Sequence, residues 1–104
     1  MVDESHELST DVIEQQKPRL KQPKKYKVIL LNDDYTTMEF VVHILETIFQ
    51  RSPSEATQIM LSVHQKGSGI CGIYTKQIAE TKVQLVHDRA RAEGFPLKCS
   101  MEPV

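Results

Sequence analysis

Asn32, Asp33 and Asp34 stand together in this 104-residue chain, just ahead of Tyr35-Thr36-Thr37-Met38-Glu39. An amide carbonyl beside two carboxylates is a set of hydrogen-bond acceptors suited to a cation with several N–H donors, and a primary ammonium fits that description. His64 adds another acceptor when its imidazole is neutral and repels a cation when it is protonated. Asp residues before a helix are most often turn formers or caps. A His beside apolar helix residues is most often a partly exposed side chain. The cluster therefore needs support from its neighbours. Met38, Val41, Met60 and Val63 give it, because two flexible methionines beside two valines can line an apolar pocket that adapts to flat or branched groups.

Other chemistries find less in the chain. Asp33, Asp34 and His64 could be imagined as a small hydrolase, but no serine or cysteine sits in a nucleophile elbow, and there is no glycine-rich phosphate loop or HExxH motif. We therefore expect no catalytic residue and no enzyme. His43, His64, His87, Cys71 and Cys99 are scattered without paired ligand spacing, so no metal and no cofactor is expected. The basic residues concentrate near the start of the chain and not among aromatics, which argues against nucleic acid. What remains is a binding module, a receptor for a peptide amino terminus with a bulky hydrophobic first residue. The α-amino group, with a pKa of about 8, is mostly protonated at neutral pH.

These residues must be positioned by elements that the patterning predicts. Tyr26 to Leu31 is a nearly continuous apolar run, as in a strand covered by helices. Thr36 and Glu39 have the spacing of a capping box, which predicts a helix starting near Thr36, with Met38, Val41, Leu45 and Ile48 facing the core and Val42 and Phe49 beside them. Ser52-Pro53-Ser54-Glu55 announces a second helix through Ala56, Ile59, Met60 and Val63, stopped by Gly67 and Gly69. Met60, Val63 and His64 share one of its faces. Ile70 to Tyr74 reads as a strand. Thr75 can cap a third helix carrying Ile78, Ala79, Val83, Val86 and Ala90, with Gly94 as its stop. Pro96 to Met101 alternates like a last strand. The expected fold is α+β, one small domain with a three-stranded antiparallel sheet and three helices in the order β-α-α-β-α-β.

Bulk properties agree with a single domain. The hydrophobic share is 39% and the net charge −1, so no global charge points to nucleic acid or a membrane surface. Cys71 and Cys99 read as buried free thiols in a reducing cytoplasm. The first residues have neither the basic start nor the apolar run of an export signal, and no stretch is long enough to span a bilayer. Residues 1–14 carry five acids and no Lys or Arg, and residues 15–25 carry five bases and no acid. With Pro18 and Pro23 breaking any helix, residues 1–24 read as a flexible arm and 25–104 as the core domain.

The blocks Tyr26 to Val41, Ala56 to His64, Gly69 to Gly72, Ala79 to Lys82 and Pro96 to Cys99, in that order, resemble ClpS, the adaptor family of the ATP-dependent Clp protease. The resemblance covers about residues 24–102. It implies an adaptor without catalysis that binds N-degron proteins, those whose first residue is Leu, Phe, Tyr or Trp (the N-end rule), and delivers them to the ClpA unfoldase of ClpAP. Carried over, Asn32, Asp33 and His64 hold the amino group. Asp34, Thr36, Met38, Val41, Met60, Val63 and Leu97 form or border the side-chain pocket, with Met38 as a gate against β-branched residues. Lys82 and Gln77 face the unfoldase, and the arm is the part it engages. Thr37 stands where the family usually has Pro, which implies a slightly looser gate. Gln77 stands where an acid is usual, which implies a missing charge contact. The alternative is a docking domain for a large assembly, without amino-terminal specificity.

Overall fold

The computed structural model describes residues 24–104. The arm predicted over 1–24 lies outside the described residues except for its last position. The chain forms strand β1 (Lys25–Leu31), helix α1 (Met38–Thr47), helix α2 (Pro53–Lys66), strand β2 (Ser68–Thr75), helix α3 (Lys76–Glu93) and strand β3 (Lys98–Pro103). β1 is central and pairs antiparallel with β2 on one side and β3 on the other. The predicted class and element order are those observed.

One core serves the whole domain. Val28 and Leu30 of β1, Cys71 of β2 and Cys99 of β3 are buried with Val41, Ile44, Leu45, Ile48, Phe49, Val63, Val86 and Leu97. Both cysteines are free and buried. Burial pushes the Cys99 thiol up to about 12 and the Cys71 thiol higher still, so neither is a thiolate at neutral pH. The register between β1 and β2 shifts between Val28 and Ile29, opposite Gly72 and Ile70, which leaves Cys71 as the extra residue of a β-bulge.

Two contacts set where α2 lies. Gly67 ends the helix at φ 91°, a left-handed conformation that favours glycine, and its carbonyl accepts from the Asn32 amide at 2.9 Å. That bond ties the end of α2 to the residue that follows β1. At Gly69 an added Cβ would stand 2.8 Å from Cγ2 of Val63 and 3.1 Å from the Ile59 carbonyl oxygen. Only a residue without a side chain lets β2 run this close to α2.

The structure moves several predicted boundaries. β2 begins at Ser68 because the chain enters the sheet directly after Gly67, and Gly69 belongs to the strand and not to the stop. β3 starts at Lys98, two residues later than the alternation suggested. Thr75 occupies the cap position of α3 without a side-chain bond. Ile78, placed by periodicity among core residues, is 49% exposed in the first turn of α3.

Candidate functional site

The loop between β1 and α1 is folded around one carboxylate. Asp33 Oδ1 accepts from the amides of Tyr35 (2.8 Å) and Thr36 (2.7 Å), and Oδ2 accepts from the Thr36 hydroxyl at 2.7 Å. Partial burial pushes the Asp33 carboxyl up, but the amide and hydroxyl of Thr36 and the amide of Tyr35 outweigh it and hold the group below its ordinary value. Asp33 is therefore an anion at neutral pH.

This turn corrects the expected helix start. With the Thr36 amide donating to Asp33, the Glu39 carboxylate has no amide there to accept from, and the capping box does not form. The cap is Thr37, whose hydroxyl accepts from the Phe40 amide at 3.1 Å. Thr37 has φ −73° and ψ 151°, inside the φ range proline imposes, about −65 ± 15°. Thr37 thus adopts a φ that proline would impose and adds a cap bond that proline has no side-chain acceptor to make.

Met38 follows as the first residue of α1. Expected on the core face, it is 44% exposed. The buried position of the middle turn is instead Ile44, which the sequence reading passed over. Exposed in the first turn of its helix, Met38 stands at the rim of a hollow.

Beside it is a hollow of about 220 Å³. Its polar lining is Asn32, Asp33, Asp34, Thr36 and His64, and its apolar lining is Met38, Val41, Met60 and Val63. The loop, α1 and one face of α2 thus bring together nine of the ten residues named for the amino-group and side-chain positions. Leu97 stands apart. It is 4% exposed in the core and borders a different hollow, next to β3, because it immediately precedes Lys98, the partner of Leu31. The side chains of Asn32, Asp34 and His64 make no hydrogen bond or ion pair with another described residue, so their polar atoms are available to a ligand. Tyr35, 76% exposed, and Pro96 border the outer side of the same loop and were not named from sequence. Their types carry no chemical signal, and only the fold brings them to this place.

Lys82 and Gln77 lie elsewhere, on α3. They border a shallow hollow of about 330 Å³ with Ile78, Thr81 and Leu85. The Lys82 ammonium turns inward, donating to the Ile48 carbonyl (2.5 Å) and Gln50 Oε1 (3.3 Å), 5.1 Å from the Tyr74 ring centroid. Part of what Lys82 does is therefore to hold the turn between α1 and α2. No group of His, Cys, Asp and Glu among the described residues is arranged to hold a metal ion. No helix among the described residues is long and apolar enough to cross a membrane.

Comparison with known proteins identifies the family. The sequence profile of the family described as ATP-dependent Clp protease adaptor protein ClpS matches residues 21–100. The ATP-dependent Clp protease adapter protein ClpS of Desulfatibacillum aliphaticivorans is 52% identical over 103 residues, covering 99% of both chains. That of Oleidesulfovibrio alaskensis is 62% identical over 85 residues, covering 82% of each. Among solved structures, Agrobacterium tumefaciens ClpS2 bound to L-phenylalaninamide matches with a TM-score of 0.77 and 41% identity, over 80% of this chain and all of that one. With more than three-quarters of its length under one profile and relatives above half identity, this chain belongs to the ClpS family of Clp protease adaptors and works as an adaptor, not as the protease.

Proposed function

We propose that the hollow binds the free amino terminus of a polypeptide whose first residue is Leu, Phe, Tyr or Trp, and that the protein delivers such polypeptides to the ClpA unfoldase of ClpAP. The observation that carries this is the composition and size of the hollow. At about 220 Å³ it is smaller than the roughly 300–1,000 Å³ of sites that enclose a drug-sized ligand, and suits a single side chain. Its acceptors outnumber its donors, which suits an ammonium. The related Agrobacterium protein in complex with an aromatic amino-acid amide supports the same class of ligand.

In this reading the ammonium lies against Asn32, Asp33 and His64. Asp33 is held in place by its own turn, so it is oriented before the ligand arrives and little ordering entropy is lost on binding. Asp34 and Thr36 border the side-chain compartment, whose walls are Met38, Val41, Met60 and Val63. Met38, exposed at the lip, gates it. Leu97 acts from behind, as core packing. The face of α3 with Gln77, exposed Ile78 and Lys82 meets the unfoldase, and the arm ahead of β1 is what the unfoldase engages.

A screen of peptides differing only in their first residue, with the unfoldase's amino-terminal domain titrated separately, tests both halves. Binding confined to Leu, Phe, Tyr and Trp supports the recognition half. Equal binding of Leu, Asp and Gly peptides would leave only a docking domain.

A further inference from the structure

We propose that the polypeptide segment following the captured amino terminus lies in a trough over Leu31, Pro96 and Lys98, and that the far end of this trough selects an acidic side chain about five residues in. The inference rests on the amino-terminal reading above and deepens it. The first residue's Cα carries both the ammonium and the onward chain, so the chain must leave from the side of the hollow where Asn32, Asp33 and Asp34 stand. Those three residues also border a second hollow, of about 400 Å³, on the outer side of the loop. Leu31, Pro96 and Lys98 continue it into a third, of about 440 Å³, which reaches His87 and Arg91 of α3.

The floor of this path is apolar, with Leu31 36% exposed and Leu97 beneath. Its two ends differ in charge. Asp33 and Asp34 mark the entrance. Lys98 lines both hollows and so stands midway, and Arg91 marks the far end, both exposed and neither in an ion pair with another described residue. His87 forms a fixed part of the wall of the far hollow, because its Nε2 accepts from the Cys99 amide at 3.0 Å. One strand spacing of about 5 Å plus one helix diameter of about 10 Å sets the expected length of the path, which an extended chain at about 3.3 Å per residue crosses in about five residues. The other hollow that touches the pocket, of about 280 Å³ between α1 and α2, shares with it only the side-chain wall residues Met38 and Met60, and it is lined by Glu39 and Glu46.

The test uses fluorescent ten-residue peptides starting with Leu, with Glu or Lys at the fifth and sixth positions, and their acetylated forms, titrated at low salt. The Glu peptide should bind about two- to tenfold more tightly than the Lys peptide, as expected for one or two exposed charge pairs. An Arg91→Glu, Lys98→Glu protein should abolish or reverse that preference, and Glu46→Lys should leave it unchanged. Equal binding of the two peptides, with the acetylated forms still rejected, overturns the trough and leaves amino-terminal recognition standing. A preference that follows Glu46→Lys instead puts the exit between α1 and α2 and also overturns it. Acetylated and free peptides binding alike would remove the amino-terminal reading, and the trough with it.

Discussion

At the start of α2, the Ser52 hydroxyl accepts from the Glu55 amide and the Glu55 carboxylate accepts from the Ser52 amide, with Pro53 as the first helical residue. At the start of α1, the Asp33 carboxylate takes the amides of the preceding loop, and only Thr37 caps the helix. Both starts use the same residue types, a hydroxyl and an acid three positions apart. They differ in what is left over. The first arrangement spends its polar groups on its own helix. The second spends one carboxylate on the shape of a loop and leaves Asn32, Asp34 and, from α2, His64 facing a hollow. A polar cluster before a helix thus keeps groups open to a ligand when its members are oriented by a turn but not consumed by the helix.

The largest effect expected from breaking this contrast is at Asp33. Asp33→Ala removes the acceptor of the exposed Tyr35 amide and the part-buried Thr36 amide and should cost about 0.5–1.5 kcal/mol of stability, together with most of the affinity for a Leu peptide; thermal melts and titration read the two losses. His64→Ala should separate them. His64 is exposed and makes no bond with another described residue, so stability should stay put, while affinity falls by on the order of 1–3 kcal/mol if an ammonium loses an acceptor. An unchanged affinity would assign His64 to the solvated surface. Ser52→Ala should do the opposite, lowering stability by about 1 kcal/mol and leaving peptide binding as it was.

The smallest effect concerns acid. The Asp33 carboxyl lies below its ordinary value in the folded protein, so its contribution is complete above the unfolded value of about 3.9 and is lost as pH falls through the lower folded value. Glu55 is shifted in the same direction, chiefly by the Ser52 amide. Melting curves between pH 5 and pH 2, set as a range of about three units around the carboxylate value, should therefore flatten part-way in Asp33→Asn and part-way in Glu55→Gln. A steep dependence untouched by Asp33→Asn would place the acid-sensitive group elsewhere.

Much of this architecture could be read from local signals. Ser52-Pro53-Ser54-Glu55, Gly67 and Gly94 each fix a helix end through one dominant bond or conformation, and all fell where expected. The start of α1 was harder, because Thr36 and Thr37 are adjacent and each has a candidate partner three residues on. The deciding factor was the Asp33 carboxylate, which takes the Thr36 groups before the helix can. Met38 and Ile78 were misread as core because periodicity assigns a face and cannot tell that a first turn projects past the layer it packs on. Nine of the ten pocket positions came together, carried by the resemblance more than by spacing. Leu97 did not, since its role depends on the crossing from α3 into β3, which no local pattern encodes.

The most direct test of the account is a titration of one Leu-initiated peptide with its amino terminus free and the same peptide acetylated. Acetylation removes the charge and all but one of the N–H donors from which Asn32, Asp33 and His64 accept, and at about 1.5–3 kcal/mol for each charge-assisted bond the free peptide should bind at least about a hundredfold more tightly. Equal affinities for the two would contradict the account.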